Sequence, residues 1–167
     1  MGLLDSLKQK KNAPQGPVVA GAVVAGTYVP MAEIPDEAFA MGALGPCCGI
    51  EPAAGQICAP FDARVVSVIQ DSKHALGLAG PGGVEILLHA GIDTVNLNGE
   101  GFTLHVKEGQ KVRKGQPLLD MDLQRVRAAG YPAVVIMAFM NSDQFGGQTW
   151  LAKGELRQGD DVLRIEM

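Results

Sequence analysis

Of the 167 residues, 22 are glycine, about 13% against a usual ~7%. They fall between short runs of Val, Ile and Leu. A long helix tolerates glycine poorly, at roughly 1 kcal/mol against alanine per residue, whereas tight turns need its freedom at positive φ. The runs Val18–Tyr28, Ala63–Gln70, Val84–His89, Thr94–Leu97, Thr103–Lys107, Pro117–Asp120, Ala133–Phe139 and Val162–Ile165 therefore read as strands separated by turns. Their spacing predicts an all-β antiparallel sandwich or barrel. Two short helices are expected beside it: one turn over Asp36–Met41, and Leu123–Ala129 with Asp122 as N-cap and Gly130 as stop.

The length fits one domain, with residues 1–16 as a flexible amphipathic segment and linker and residues 17–167 as the domain proper. Net charge is −4, so no basic field gathers nucleic acid. Residues 1–12 hold three lysines and one aspartate, which leaves −6 for the remainder. Leu3, Leu4 and Leu7 at helical spacing among those lysines make residues 1–11 a candidate for weak contact with anionic lipid. No charge occurs between Lys11 and Glu33, but Pro14, Pro17 and Pro30 with Gly16, Gly21 and Gly26 divide that stretch into strands and turns. Cys47, Cys48 and Cys58 form neither an even disulfide framework nor a C-x-x-C pair, and read as small buried hydrophobes of a reducing compartment.

A faint repeat runs through the chain. Ala22–Val29 and Ala59–Val66 share the frame A-x-x-x-small-x-x-V, which implies pseudo-symmetric halves. Val106–Leu118 adds two Gly-Gln turns flanking a short strand.

Three histidines carry the candidate chemistry. In Val84–His89, alternation puts Val84, Ile86 and Leu88 on one face and Glu85, Leu87 and His89 on the other, with His89 at a strand end beside a tight turn. His74 follows Ser72-Lys73 and enters a strand on the face of Leu76 and Leu78. His105 has no comparable punctuation and reads as a side chain without a role.

The segment Ser72-x-His74-Ala75, the fifteen residues from His74 to His89, and then His89-Ala-Gly-Ile-Asp93-Thr-Val-x-Leu-x-Gly-Glu-Gly-Phe102 resemble the glucose-family EIIA component of the bacterial phosphoenolpyruvate-dependent sugar phosphotransferase system. Ile34-Pro-Asp36-x-x-Phe39-Ala40, Ala59-Pro-Phe-Asp62, Glu108-Gly-Gln-x-Val-x-x-Gly115 and the amphipathic start resemble the same family. The chain departs from it at Ser72, where threonine is usual, at Ala63, where glycine is usual, and in Gly45-Pro-Cys-Cys-Gly49.

The resemblance implies a β-sandwich of the duplicated hybrid motif type and a phosphoryl carrier with a phosphohistidine intermediate. It makes His89 the acceptor of phosphate from phospho-HPr and an EIIB domain of a membrane sugar permease the next carrier. His74 then stabilises the phosphoryl group, Ser72 orients His74, and the Gly91 carbonyl holds Nδ1 of His89. Asp36 and Asp93 at the rim, with Phe39, Ile69 and Leu87 as an apolar collar, are the implied partner-binding residues. The implied location is cytoplasmic, peripheral to the inner face of the membrane, with regulatory targets for the unphosphorylated form. No cofactor is required, although His74 and His89 could share a zinc ion with a partner's carboxylate.

Another chemistry deserves comparison. His89-x-x-x-Asp93 matches part of the ligand pattern of lysostaphin-type zinc peptidases, but those sites need a further His-x-His, absent from this chain. A binding module without chemistry would use the same apolar collar.

Overall fold

A computed structural model describes residues 16–167. The strands are β1 (Val18–Gly21), β2 (Gly26–Val29), β3 (Cys47–Pro52), β4 (Gln56–Cys58), β5 (Ala63–Val68), β6 (Ala75–Ala79) and β7 (Glu85–Ala90). They continue as β8 (Phe102–Leu104), β9 (Lys111–Val112), β10 (Pro117–Met121), β11 (Val135–Phe139), β12 (Gly147–Trp150), β13 (Glu155–Leu156) and β14 (Asp161–Glu166). Two short helices, α1 (Glu37–Ala40) and α2 (Leu123–Ala128), complete the regular structure with a few 3-10 turns. The proposed amphipathic segment, residues 1–11, lies outside the described residues.

An eight-stranded sheet runs in the order β13-β2-β3-β11-β7-β6-β5-β9, and three-stranded sheets run β1-β14-β12 and β4-β10-β8. The pairings are antiparallel. One core joins all three sheets, with Ile50, Val65, Leu78 and Leu88 from the large sheet meeting Leu163, Ile165 and Leu118 from the small ones. This is the all-β antiparallel sandwich that the turn-rich sequence predicts.

The strand orders reveal the pseudo-symmetry. Strands β4–β10 form one uninterrupted half, inserted between β3 and β11 of the other half, which is β1–β3 plus β11–β14. Backbone bonds repeat across the pair. Gly159 N–H donates to Ala22 O as Gly115 N–H does to Ala59 O, and Tyr28 N–H to Gly154 O as Val65 N–H does to Gln110 O. Even a turn's side-chain bond recurs: Arg157 N–H to Asp160 Oδ2 and Arg113 N–H to Gln116 Oε1. The shared A-x-x-x-small frame is thus the trace of two equivalent bends, at Ala22 and at Ala59.

The connections differ between the halves. Between β2 and β3 residues 30–46 fold over the outer face of the large sheet, where Ile34 and Phe39 pack with Ile92, Val134, Ile136 and Ala138 in a second apolar cluster. Strand β11 is consequently buried on both faces, with Val135, Met137 and Phe139 in the main core and Ile136 and Ala138 in the second cluster. That accounts for its unbroken apolar sequence.

Several strand assignments change in the structure. Val18–Tyr28 is broken into β1 and β2 by a bend after Gly21. Thr94–Leu97 is a 3-10 turn bracketed by Asp93 and Asn98, both left-handed, so its β-branched residues end a loop rather than build a strand. The sequence reading also missed β3, β4, β12 and β13, whereas β9 is the short strand expected between the two Gly-Gln turns. In β3, glycine and proline signal a loop, yet Gly49 is needed within the sheet: a Cβ there would stand 2.7 Å from Val134 Cγ2 and 3.2 Å from Val29 Cβ. Both predicted helices form. Asp36 Oδ1 accepts from Phe39 N–H at 3.0 Å, Asp122 Oδ1 from Arg125 N–H at 3.1 Å, and Gly130 follows α2 at φ +88°.

Candidate functional site

Strand β7 has two distinct faces. Val84, Ile86 and Leu88 enter the main core, and Leu87 packs against the second cluster, with His89 on its own side. Across β11, His89 lies opposite Ile136. The ring of Phe39, delivered by α1, meets the imidazole edge-on with centroids 5.1 Å apart.

At the end of β7 the chain turns sharply. Gly91 has φ +80°, and a Cβ there would lie 2.5 Å from Thr94 Cγ2 and 3.0 Å from Pro132 O. Only glycine fits, and the turn it permits aims its carbonyl back at the strand. His89 Nδ1 donates to that carbonyl at 2.7 Å. Since a carbonyl only accepts, the neutral ring carries its proton on Nδ1 and leaves the Nε2 lone pair free. The loop is fastened by Gly91 N–H to Val134 O and Ile92 N–H to Pro132 O. Buried Thr94 completes it, its hydroxyl donating to Ala90 O at 2.6 Å. Sequence reasoning assigned Thr94 no role. A threonine just past a glycine turn was the available signal, since its hydroxyl can close such a turn.

His74 arrives from the neighbouring strand. Ala75 pairs with His89, and Ala90 N–H donates to His74 O. Alternation along β6 would turn His74 toward the core with Leu76 and Leu78. Its ring instead stands edge-on to that of His89, with centroids 4.8 Å apart and planes at 87°. The residue precedes the strand and follows Lys73 at φ +56°, so the alternation does not reach it. Buried Ser72 places its hydroxyl 2.7 Å from His74 Nδ1. The turn is tied by Lys73 N–H to Ile69 O. It is also closely approached by Gly99, where a Cβ would stand 2.5 Å from Asp71 O.

Burial sets the charge state of both rings. Desolvation, reinforced by the neighbouring His89, lowers the His74 pKa to about 4. Desolvation also lowers that of His89, opposed by the Gly91 hydrogen bond and by the charges of Asp36 and Asp93. Near neutral pH the site thus holds two uncharged imidazoles, each with Nδ1 engaged within its own turn.

The remaining candidates surround this pair differently. Phe39 is in ring contact with His89. Leu87 is half-buried one step along the same strand face, and Ile69 is exposed at the turn that carries Ser72. Asp36 caps α1, whereas Asp93 makes no capping bond. His105 lies away from the pair, its Nε2 2.9 Å from Asp120 Oδ2. The three cysteines are buried, and desolvation raises the Cys47 thiol to about 11, which suits packing rather than reactivity. As a zinc site the two rings offer two donors of a usual four. Among the described residues no group of three or more His, Cys, Asp or Glu side chains gathers to hold a metal, and no helix is long and apolar enough to cross a membrane.

Comparison with known proteins places this geometry in context. The family described as phosphoenolpyruvate-dependent sugar phosphotransferase system, EIIA 1 matches residues 18–145. The PTS system glucose-specific EIIA component of Halalkalibacterium halodurans is 38% identical over 97% of this chain and 92% of its own length. The PTS system mannose-specific EIIBCA component of Corynebacterium glutamicum is 38% identical over 84% of this chain. The chain spans only 20% of that longer relative. The structure of glucose permease IIA from Mycoplasma capricolum superposes with a TM-score of 0.77 at 31% identity, covering 89% of this chain and 95% of that one.

Proposed function

This chain belongs to the phosphoenolpyruvate-dependent sugar phosphotransferase system EIIA 1 family, and from that premise we propose that it carries phosphoryl groups on Nε2 of His89. The observation that bears most weight is the 2.7 Å bond from His89 Nδ1 to the Gly91 carbonyl, which leaves Nε2 as the one free nucleophilic nitrogen of a neutral ring. In the step we envisage, Nε2 forms a bond to phosphorus as the donor's N–P bond breaks, and the donor imidazole leaves. The phosphorylated ring keeps its Nδ1 proton and becomes cationic, a charge that the Gly91 carbonyl, Asp36 and Asp93 favour.

His74 serves the phosphoryl oxygens. With the Ser72 hydroxyl donating to its Nδ1, the neutral ring presents Nε2–H as a hydrogen-bond donor beside His89. Such transfers depend mainly on positioning and on exclusion of water, and Phe39, Ile69 and Leu87 supply apolar surface for both.

On this reading phospho-HPr is the donor and an EIIB domain the acceptor. The EIIBCA organisation of the Corynebacterium relative supports the second partner. Sugar choice would rest with the membrane partner, since relatives sharing this segment are named for glucose and for mannose. The chain would work on the cytoplasmic side of the membrane, with residues 1–11 as a weak lipid contact. Zinc is not needed for transfer; an ion at this place would take two ligands, His74 and His89, from this chain and the rest from a docked partner.

The deciding test is mass spectrometry after incubation with enzyme I, HPr and phosphoenolpyruvate. One phosphoryl group is expected on the parent and none on His89→Ala; phosphate on that variant overturns the assignment.

A further inference from the structure

Among the described residues, Arg125, Arg127 and Arg164 each pair with a glutamate. Arg64, Arg113 and Arg157 have no such partner, and the first two line one cleft of about 650 Å³ together with Lys111. The cleft opens beside β9, the last strand of the large sheet. Arg64 pairs with Ala79, so it lies at the far end of β6 from His74. Three cations thus share one cleft of a body whose charge outside residues 1–12 is −6.

The matched place in the other half shows what this arrangement is not. There the Arg64↔Lys111 pair is replaced by Thr27↔Glu155, and Ala79 by Glu51. Thr27 Oγ1 donates to Glu155 Oε1 at 2.6 Å, and Arg127 donates to Glu51 Oε1 at 3.0 Å. Apart from Arg157, the counterpart of Arg113, the same backbone frame thus pairs these polar groups internally at one end, while at the other it leaves three cations around an open cleft. Turn formation does not need them, since Arg113 enters its turn through the main-chain N–H bonded to Gln116 Oε1, which frees the guanidinium.

We propose that this cleft binds a phosphorylated sugar or polyol. Guanidinium forks match phosphate oxygens in geometry and charge, and the volume lies within the ~300 to 1,000 Å³ of small-molecule sites. Ala79 and Val112 give it apolar wall, while the Asp62 carboxylate and the side-chain Nε2 of Gln116 offer groups for hydroxyls. No aromatic side chain lines it, so a nucleobase would find no stacking partner there. The site is separate from the histidine pair and stands or falls independently of the phosphoryl-carrier reading.

The test is titration of the full chain with glucose 6-phosphate, AMP and orthophosphate, followed by calorimetry and by amide chemical shifts. Glucose 6-phosphate is expected to saturate, to move the amides of Arg64, Ala79 and Lys111, and to bind more tightly than either other anion. The double substitution Arg64→Thr, Lys111→Glu copies the charges of the matched place. It should weaken binding about 10- to 100-fold while leaving phosphorylation of His89 and the unfolding midpoint unchanged. Arg113→Gln provides the same comparison if the double variant does not fold. The proposal is overturned by absence of saturation, by shifts centred on residues 74 and 89, by AMP or orthophosphate binding as tightly, or by unaltered affinity in a folded variant.

Discussion

The two halves of this molecule share a backbone frame and differ in what has been placed on it. Where β6 and β7 pair Ala75 with His89, β3 and β11 pair Cys47 with Ala138. The position that carries the candidate nucleophile in one half is an alanine in the other, and that of His74 is Pro46. The connections differ as well. The span from β2 to β3 contains α1 and buries Ile136, whereas the short turn from β5 to β6 leaves Val66 and Ile69 exposed and Leu87, the counterpart of Ile136, half-buried. A fold built twice therefore need not make two sites. The long connection of one half supplies Phe39 and Asp36 to the histidine of the other, and the short connection leaves that histidine reachable.

The largest expected departure concerns the histidine pair. His74→Gln should still accept phosphate on His89 but lose a donor to the phosphoryl oxygens, slowing onward transfer by about 100- to 1,000-fold. Rapid-quench measurement of transfer to an EIIB domain checks this, and an unchanged rate would remove His74 from the mechanism.

The covered and open halves can be compared directly in stability. Ile136→Ala deletes a side chain with no exposure and should cost about 3 kcal/mol, against about 1 kcal/mol for half-buried Leu87→Ala. Denaturant unfolding decides it; equal losses would mean that the residue 30–46 connection adds no effective burial.

Acid should weaken the fold through the same burial. The pKa of His74 in the folded chain is about 4, below its ordinary 6.5, so the unfolded chain binds the proton first. The stability this group contributes is complete above pH 6.5 and is lost as pH falls toward 4. His74→Gln should remove about 2 kcal/mol of that acid loss, allowing for solvent screening, as read from unfolding midpoints between pH 7 and 4. His89, lowered by the same cause, shifts stability in the same sense.

The smallest effects separate the two aspartates. Asp36→Ala removes the α1 cap and should cost about 1 kcal/mol, while Asp93→Ala, with no cap to lose, should stay within about 0.5 kcal/mol. Comparable losses from thermal unfolding would contradict the assignment of capping to Asp36 alone.

Much of this was legible in the chain. The β class followed from glycine spacing, the faces of β7 from strict alternation, the Asp122 cap from Asp before a short helical run, and the repeat from two similar bends. What escaped had local signals pointing elsewhere. Strand β3 reads as a loop because its glycine and prolines weigh against pairing, yet Gly49 is required by Val134 and Val29, side chains distant in sequence. Thr94 reads as a strand residue because branching favours β structure, yet its hydroxyl closes the turn beneath His89.

By itself the sequence determined the residue types and the periods: where turns had to fall, which strand face was apolar, and that two histidines stand fifteen positions apart. Tertiary structure alone decided that their rings meet edge-on, that a carbonyl two residues away selects the tautomer of His89, and that burial keeps both rings uncharged. The physical reason is that alternation and turn chemistry act between near neighbours and are written in order along the chain. Desolvation and ring contact depend instead on strands brought side by side, which no local pattern specifies.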